Sequence, residues 1–317
     1  MEIKNPDITV LMPVYNDERF VRFSIESILN QTFQNFEFII INDASNDNTL
    51  EILNDYKNQD SRIIIASNDI NLRVPKSLNK GLSLAKGRYI ARIDSDDISV
   101  EERLEKQFLF LENNKEFGLV GSYTEVIDEN GDNIDFWHEY SEPEYIFYTL
   151  SFWNCLVTST VMFEKELAIR LGGFNPDFDR TEDYELWYKV SRVKKIHVIP
   201  EYLSKYRKNK SGVTAKYSQE QLINAENVAI TKTKISRELL QYLKSINKPN
   251  SFGKKINLII QLYKTNKNIL KEGLKLNLDK KRLKEIANQR IWNFIKRDFI
   301  NFKVKTFLKK MLNRSDG

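Results

Sequence analysis

The first 115 residues alternate between short apolar runs and amphipathic segments. The apolar runs are rich in β-branched residues and predict four buried strands, at 8–12, 36–41, 62–66 and 88–93. The segments after them carry apolar residues at three- and four-residue spacing, which predicts helices at 17–31, 49–56, 77–85 and 100–113. Strands that alternate with helices indicate βαβ units, so the pattern predicts an α/β fold with a mainly parallel sheet.

From about residue 117 the pattern becomes mixed. It predicts strands at 119–123, 124–128, 159–163 and 195–199, with a hairpin turn at 129–132. Helices are predicted at 141–153, 164–171 and 184–193. Beyond residue 217 leucines and isoleucines recur at helical spacing among many lysines, which predicts a helical extension with a break at 248–250.

The composition is that of a globular protein kept in a reducing compartment. Apolar residues make up 41% and charged residues 29%, which excludes a largely disordered chain. Cys155 is the only cysteine, so no intramolecular disulfide can form, and two histidines exclude a multi-histidine metal centre. No signal core and no apolar run near the roughly 20 residues of a membrane span occur. We therefore expect a cytoplasmic protein.

The net charge of +5 hides a strong asymmetry. Residues 1–204 hold 21 Lys and Arg against 36 Asp and Glu, whereas residues 205–317 hold 28 against 8. The basic part points to an anionic partner: a phosphate-bearing ligand, nucleic acid or an anionic membrane. Residues 290–313 resemble a basic amphipathic helix with Trp and Phe on one side, which favours peripheral binding to the inner face of the plasma membrane. The alternative is that this face packs on the catalytic domain or on a second subunit.

Three polar segments follow predicted strands, at 13–16, 42–48 and 94–97. The carboxyl ends of parallel strands meet at one edge of a sheet, where such folds bind ligands. Neither G-x-G-x-x-G nor G-x-x-x-x-G-K-[ST] occurs, which argues against a dinucleotide enzyme and a P-loop nucleotidase. We therefore expect a ligand site that does not use a glycine-rich phosphate loop.

Asp94 and Asp96 form an alternating acidic pair at the end of the fourth predicted strand. On an extended chain their side chains point the same way, and two carboxylates on one side are suited to Mg²⁺ or Mn²⁺. The alternative is an ordinary acidic turn in which Asp97 caps the next helix.

Two further acidic and aromatic positions have both chemical and structural interpretations. Glu182 and Asp183 open a predicted helix, where one carboxylate could accept a proton from a substrate hydroxyl or merely stabilise the helix start. Tyr15 could stack on a nucleobase whose imide donates to Asp43. The alternatives are a half-buried tyrosine and an aspartate that stabilises a turn.

Six segments, in this order, resemble the motifs of family 2 glycosyltransferases. They are 9–16, 27–33, 41–47, 85–90, 94–97 and 182–187, and the resemblance spans about residues 7–210. It implies the GT-A fold and transfer with inversion at the sugar. It also implies a nucleotide-sugar-binding half at 1–115, an acceptor-binding half at 116–216 and a basic helical extension at 217–317.

The resemblance implies a role for each candidate residue. Three residues would hold the nucleotide base: Pro13, Tyr15 and Asp43. Asp94 would contact the ribose or the cation of the donor, and Asp96 would bind the cation, Mn²⁺ or Mg²⁺. Asp183 would be the catalytic base, and Glu182 would support the acceptor.

The chain departs from the family pattern at several positions, two of which lack an expected histidine. Members commonly carry Tyr-Arg-x-His after the acceptor half, whereas this chain reads Tyr206-Arg207-Lys208-Asn209. Asn209 could supply an oxygen ligand, and Arg207, Lys208 or Lys210 could neutralise the donor diphosphate. Thr158 stands where many members have histidine.

The implied function is transfer of one hexosyl or N-acetylhexosaminyl unit from a nucleotide-sugar to a hydroxyl of a glycan or lipid-linked glycan in surface polysaccharide synthesis. UDP is the expected nucleotide by family habit. The alternative is a catalytically inactive glycosyltransferase-like binding protein. Nucleic acid is not an expected partner because the basic third lacks an RNA-binding aromatic signature, and an oligomer remains an open alternative.

Overall fold

The computed structural model describes residues 5–138, 141–209, 212–244 and 252–298. A nine-stranded mixed sheet forms its centre, in the order β3-β2-β1-β4-β8-β6-β9-β5, with β7 paired to β6. Helices lie against the sheet and continue into the C-terminal extension. The predicted α/β class with a helical C-terminal part is confirmed.

Four parallel strands make up one half of the sheet: β1 (Ile8–Val14), β2 (Phe36–Asn42), β3 (Ile63–Ser67) and β4 (Tyr89–Arg92). They alternate with the helices α1 (Val21–Leu29), α2 (Thr49–Gln59), α3 (Arg73–Leu84) and α4 (Arg103–Asn113). All seven residues of β1 and of β2 are buried, as expected for parallel strands covered on both faces.

The second half of the sheet is mixed. Its strands are β5 (Ile98–Ser99), β6 (Phe117–Ile127), β7 (Asn133–Trp137), β8 (Met162–Glu164) and β9 (Lys195–Arg207). β8 runs antiparallel to both β4 and β6 and so joins the two halves, while β6 and β9 are parallel. Between the strands lie α5 (Pro143–Thr149), α6 (Lys165–Arg170) and α7 (Glu182–Ser191).

Apolar side chains from both faces of the sheet form two cores. Leu11, Ile39 and Ile41 belong to the core that also contains Trp187 of α7. The alternate residues of the same strands join the other core, with α1, α2 and α4. Both faces of these strands are therefore buried, and polar side chains lie in the loops that follow the strands.

The C-terminal extension packs on α5. α8 (Val213–Lys216) precedes it, and within it lie α9 (Ser218–Thr233), α10 (Arg237–Leu243), α11 (Phe252–Lys275) and α12 (Lys280–Asp298). Phe147, Tyr148 and Phe152 are buried in one cluster with leucines and isoleucines of α10, α11 and α12. None of the helices in the described ranges is long and apolar enough to cross a membrane.

Several element boundaries differ from the sequence prediction. The two strands predicted at 119–123 and 124–128 form one strand, β6, whose pairing with β9 shifts around Ser122–Thr124. β9 continues to Arg207, beyond the predicted end at 199. β5 and β7 were not predicted, because two residues are too few for a pattern and β7 is a largely exposed edge strand. The predicted break at 248–250 lies outside the described residues.

Candidate active site

The loops after β1, β2 and β4 interlock at one edge of the sheet. The amide of Asp43 donates to the carbonyl oxygen of Val14 at 2.8 Å. The hydroxyl of Ser95 donates to Asp17 Oδ2 at 2.6 Å, and the amide of Asp17 donates to Thr49 Oγ1 at 2.9 Å. The convergence expected from parallel strand order therefore occurs, and it brings the polar segments of three strands together.

Asp94 is the more accessible of the two predicted cation ligands. Its side chain is 40% exposed, and Arg92 Nη2 pairs with its Oδ1 at 2.7 Å. The amide of Asp94 donates to Ser159 Oγ at 2.9 Å, which ties the acidic loop to the segment before β8. A carboxylate fixed in this way keeps one oxygen directed away from its protein partners.

Asp96 lies in a crowded acidic environment. Burial, together with the nearby carboxylates of Asp94 and Asp17, raises its pKa to about 7. The amide nitrogen of Asn209 approaches Asp96 Oδ2 at 3.4 Å. Like charges held close together are costly unless a cation or a proton reduces their repulsion. The residues present therefore fit a divalent cation.

The protein alone does not provide a complete set of charged metal ligands here. Within the described ranges, no group of three or more His, Cys, Asp or Glu side chains has a metal-binding arrangement. One or two carboxylates are typical of Mg²⁺ or Mn²⁺ sites in which waters and phosphate oxygens complete the coordination, and Asn209 could add a ligand only through its amide oxygen.

Asp183 lies at the start of α7 and is half-buried. Its Oδ2 accepts hydrogen bonds from Thr158 Oγ1 at 2.5 Å and Asn154 Nδ2 at 3.0 Å. The amide of Tyr184 donates to its Oδ1 at 2.6 Å. Burial raises the pKa of Asp183, and the hydrogen bond from Thr158 opposes that rise. The carboxylate is oriented but retains proton affinity, as a general base requires.

Glu182 precedes Asp183 and is only 6% exposed. Its Oε2 has no hydrogen-bond partner in the protein. Burial and the adjacent Asp183 raise the pKa of Glu182 to about 8. At neutral pH this side chain is therefore mainly a neutral acid, which can donate as well as accept.

Asp43 organises the loop between β3 and α3. Its Oδ1 accepts from Asn68 Nδ2 at 2.7 Å and from the amide of Leu72 at 2.8 Å, and its Oδ2 accepts from the amide of Arg73 at 2.9 Å. Tyr15 lies nearby at the end of β1 and is 47% exposed. Pro13 is buried within β1. The Tyr15 ring is accessible to a ligand at this edge of the sheet, and its stacking on a nucleobase stays a prediction.

Arg207 holds the acidic loop against the β6–β7 hairpin. Its Nε donates to the carbonyl oxygen of Asp96 at 2.9 Å, and its Nη1 donates to the carbonyl oxygen of Asp128 at 3.0 Å. The amide of Arg207 donates to Asp97 Oδ1 at 2.8 Å. The Arg207 guanidinium thus donates to backbone carbonyl oxygens of the protein. Contact between Arg207 and the donor diphosphate stays a prediction.

The structure brings most of the predicted residues into two groups that face each other. Asp94, Asp96, Arg207 and Asn209 form the acidic-loop group, and Glu182 and Asp183 form the helix-start group. The charge of Asp94 raises the pKa of Asp183 and that of Arg92 lowers it, so the groups are within electrostatic reach. Sequence reasoning missed Asn154, since one asparagine beside an aromatic run carries no recognisable signal.

A sheet of this topology, with an acidic pair after β4 and a carboxylate at the start of the facing helix, is the architecture of the GT-A glycosyltransferases. The family model described as glycosyl transferase family 2 matches residues 9–172, and the chain belongs to this family.

Two relatives illustrate the similarity. The uncharacterized glycosyltransferase MJ1057 of Methanocaldococcus jannaschii is 36% identical over 212 residues, 65% of this chain and 72% of the relative. The UDP-Glc:alpha-D-GlcNAc-diphosphoundecaprenol beta-1,3-glucosyltransferase WfgD of Escherichia coli is 33% identical over 217 residues, 67% of this chain and 81% of the relative. The expectation that the chain is a glycosyltransferase is confirmed.

Two solved structures share the fold. TarS 1-349 of S. aureus, in complex with UDP, has a TM-score of 0.57 at 19% identity and covers 91% of this chain and 89% of its own. The mannosyltransferase PcManGT of Pyrobaculum calidifontis, in complex with GDP-Man and Mn²⁺, has a TM-score of 0.55 at 16% identity, covering 100% of this chain and 82% of its own. At these identities the similarity concerns the fold.

Proposed function

We propose that the protein transfers one sugar from a nucleotide-sugar, of which a UDP-sugar is the first choice, to a hydroxyl group of a glycan or lipid-linked glycan, with inversion at the sugar. The observation that carries this proposal is the placement of Asp183 opposite the Asp94–Asp96 loop. A donor whose diphosphate lies at the loop would present its sugar toward α7. A surface-polysaccharide acceptor is consistent with the diphosphoundecaprenol-linked substrate in the name of the WfgD relative.

The donor end of the site combines the exposed ring of Tyr15, the hydrogen-bonded Asp43 and the acidic loop that carries Asp94 and Asp96. Tyr15 would stack on the nucleobase, beside Pro13 of β1, while Asp43 would hold the base and shape the 68–73 loop around it. Asp94 and Asp96, with Asn209, would hold Mn²⁺ or Mg²⁺. When bound, such a cation neutralises charge on the leaving diphosphate. The closeness of the Asp94 and Asp17 carboxylates to the buried Asp96 supports this assignment, because a bound cation would reduce their mutual repulsion.

The acceptor end uses Asp183 as general base. Its carboxylate would take the proton of the acceptor hydroxyl while the hydroxyl oxygen attacks the anomeric carbon. Thr158 and Asn154 hold Oδ2, so the carboxylate meets the hydroxyl in one orientation. Glu182, mainly neutral at pH 7, would donate a hydrogen bond to the acceptor. Direct attack on the face opposite the leaving group inverts the configuration.

The deciding experiment is a donor screen. Purified protein would be incubated with UDP-, GDP- and dTDP-sugars plus Mn²⁺ or Mg²⁺, with and without glycan acceptors, and nucleotide release would be measured. We expect one nucleotide to be preferred, with loss of release in Asp183→Asn and Asp96→Ala. Asp55→Asn, on an exposed face of α2, is the matched control and should remain fully active.

One outcome would separate a transferase from an inactive binding protein, and another would test the cation assignment alone. Nucleotide binding without release, with every donor and acceptor, would favour the catalytically inactive binding protein. Full activity of the native enzyme in excess EDTA would reject the cation assignment while leaving the transferase assignment intact.

We further propose that the basic C-terminal segment brings the enzyme to an anionic membrane, beside a lipid-linked acceptor. The first residues of the predicted 290–313 helix pack on the protein itself. Ile291 is 2% exposed, and it lies with Trp292 in the apolar cluster of the C-terminal extension. Residues 299–313 lie outside the described residues. Six Lys and Arg lie between residues 296 and 310, four of them in 299–313, and they carry the argument from charge.

The membrane proposal is tested by co-sedimentation with anionic and neutral liposomes. The full chain would be compared with one ending at Asp298, which keeps Ile291 in its cluster. We expect salt-sensitive binding of the full chain to anionic vesicles and weaker binding of the shorter chain. Equal binding by the two, or no binding at low salt, would reject the proposal.

A further inference from the structure

Asn154 connects the catalytic carboxylate to the segment that follows α5. Its Nδ2 donates to Asp183 Oδ2 at 3.0 Å, and its Oδ1 accepts from the amide of Leu156 at 3.1 Å. Both ends of the amide are therefore used, which fixes its orientation. The neighbouring Trp153 packs against the apolar cluster of the C-terminal extension.

Arg290 of α12 lies on that tryptophan. Its Cζ is 4.0 Å from the centre of the Trp153 ring and 4.8 Å from the centre of the Phe152 ring. The Tyr148 ring is 5.6 Å away. A guanidinium stacks flat on an aromatic face through its planar, delocalised charge, whereas a lysine ammonium is attracted to the ring as a compact point charge without stacking. The middle of α12 thus contacts the residue next to Asn154.

We infer that Arg290 and Asn154 are positioning residues for Asp183: α12 holds Trp153 through Arg290, and this holds the Asn154 amide on the carboxylate. The inference rests on the proposed role of Asp183 as general base. It gives the helical extension a part in orienting the site rather than only in covering apolar surface.

A second contact between the extension and α7 supports the inference. Lys232 of α9 pairs with Glu185 Oε1, and Glu185 is fully buried two residues after Asp183 in the same helix. Lys189 pairs with the other oxygen of Glu185 at 2.9 Å. The extension therefore meets both the helix that carries Asp183 and the loop that donates to it.

The charged groups that face Asp183 come from two elements. Glu182 is its neighbour on α7, and Asp94 and Arg92 lie at the end of β4. Neither Arg290 nor Asn154 alters these groups directly. Asn154→Ala removes a hydrogen bond to Asp183, whereas a change in the Asp183 titration on Arg290→Ala would report how well Asn154 is held in place to make that bond.

The first test measures Asp183 without requiring turnover. Aspartate side-chain carboxyl groups would be labelled with ¹³C and titrated by NMR, with Asp183→Asn used to assign the resonance. We expect Asn154→Ala to raise the pKa of Asp183, because a donor to the carboxylate is lost. Arg290→Ala should raise it by a smaller amount, and Arg290→Lys, which keeps the attraction to the ring but loses the flat stacking, should raise it less than Arg290→Ala.

The matched control is Arg282→Ala, on the same helix. Arg282 donates to Glu142 Oε2 at 2.7 Å, and Trp153 is not among its contact partners. It should leave the Asp183 titration unchanged. Circular dichroism melting curves would establish that each variant is folded, and Trp153→Phe replaces Arg290→Ala if the latter does not fold.

The double variant decides whether Arg290 acts through Asn154. If it does, Arg290→Ala has no further effect on the Asp183 titration once Asn154 is alanine. Additive effects, or an unchanged titration in Arg290→Ala, would overturn the inference.

Turnover then separates this inference from the proposed function. With a donor and acceptor pair from the screen, Asn154→Ala should lower kcat roughly 10- to 100-fold with little change in donor KM. If the Asp183 titration shifts but kcat does not, Asp183 is positioned as inferred and its role as base is wrong. If Asp183→Asn is inactive but the titration does not shift, the base role holds and the positioning role is wrong.

Discussion

Asp183 accepts hydrogen bonds at Oδ2 from two side-chain donors and at Oδ1 from a backbone amide, so both of its oxygens have fixed partners. Asp183→Asn keeps the size of the side chain and removes its basicity. We expect the transfer rate to fall about 10²- to 10⁴-fold, with nucleotide binding retained. Steady-state kinetics and calorimetric titration with the nucleotide would measure the two effects. Near-native turnover in this variant would contradict the base assignment.

The raised pKa of Asp183 also predicts the pH dependence of the reaction. The base works ionised, and burial places its titration above the ordinary value of 3.8. The acidic limb of kcat/KM should therefore lie above pH 3.8 and be absent in the residual activity of Asp183→Asn. An acidic limb of kcat/KM at pH 3.8, the pKa of an exposed aspartate, would show that another group limits the rate.

Glu182 should make the folded protein less stable as the pH rises. Its pKa is about 8 in the folded protein against 4.5 when exposed. Between these values the folded state binds a proton that the unfolded state does not, so the free energy of unfolding falls with rising pH across this window. Glu182→Gln should weaken this decline, whereas Glu166→Gln, whose side chain is 78% exposed, should not. Urea unfolding at pH 6 and pH 8.5 measures the difference.

At the level of single residues, the sequence identified the groups that carry charge but not the groups that orient them. Asp94 and Asp96 follow from their spacing after a strand, and Glu182 and Asp183 from their place before a helix. Asn154 and Arg290 act through contacts between segments distant in the chain. Their partners depend on how α5, α7 and α12 pack, which a local pattern does not specify.

The connection between α3 and β4 shows why one element end needs glycine. A Cβ at Gly87 would lie 2.3 Å from the backbone nitrogen of Thr9 in β1. The amide of Gly87 also donates to Thr9 Oγ1 at 2.9 Å. Gly87→Ala should lower the free energy of unfolding by about 1–3 kcal/mol, because backbone rather than a flexible side chain must move.

Gly253→Ala is the comparison for that measurement. Gly253 lies in α11 with no atom within 4 Å of the added carbon, and alanine favours helix. Its stability should stay the same or rise slightly. If Gly87→Ala proved equally harmless in denaturant unfolding, the close approach of β1 would not be a constraint on this turn.

Among the elements, the long buried runs were predictable and the mixed half was less so. β1 to β4 are covered on both faces and therefore read as continuous apolar segments. β6 and β9 pair with shifts in register, and β9 carries exposed residues at 200–202. A strand whose two ends have different surroundings does not show one period, so its length was underestimated.

At the scale of the whole molecule, the extension and the catalytic part share an apolar core. Phe147, Tyr148 and Phe152 are each at most 2% exposed, and the helices that cover them come from the extension. We expect one cooperative thermal transition for both parts. Calorimetry combined with hydrogen exchange of α11 amides would test this. A separate low-temperature transition confined to α9–α12 would show that the extension folds independently.

The position of β8 has a consequence for synthesis of the chain on the ribosome. β4 ends at Arg92, but its antiparallel neighbour begins at Met162, so one side of a fully buried strand has no partner while the intervening residues are translated. At usual elongation rates this interval lasts roughly 4–14 s. During it, the edge made by Tyr89, Ile90 and Ala91 can pair with other nascent chains. Ribosomes that pause between these two strands should therefore lower the yield of soluble enzyme, and a chaperone that shields the edge should restore it.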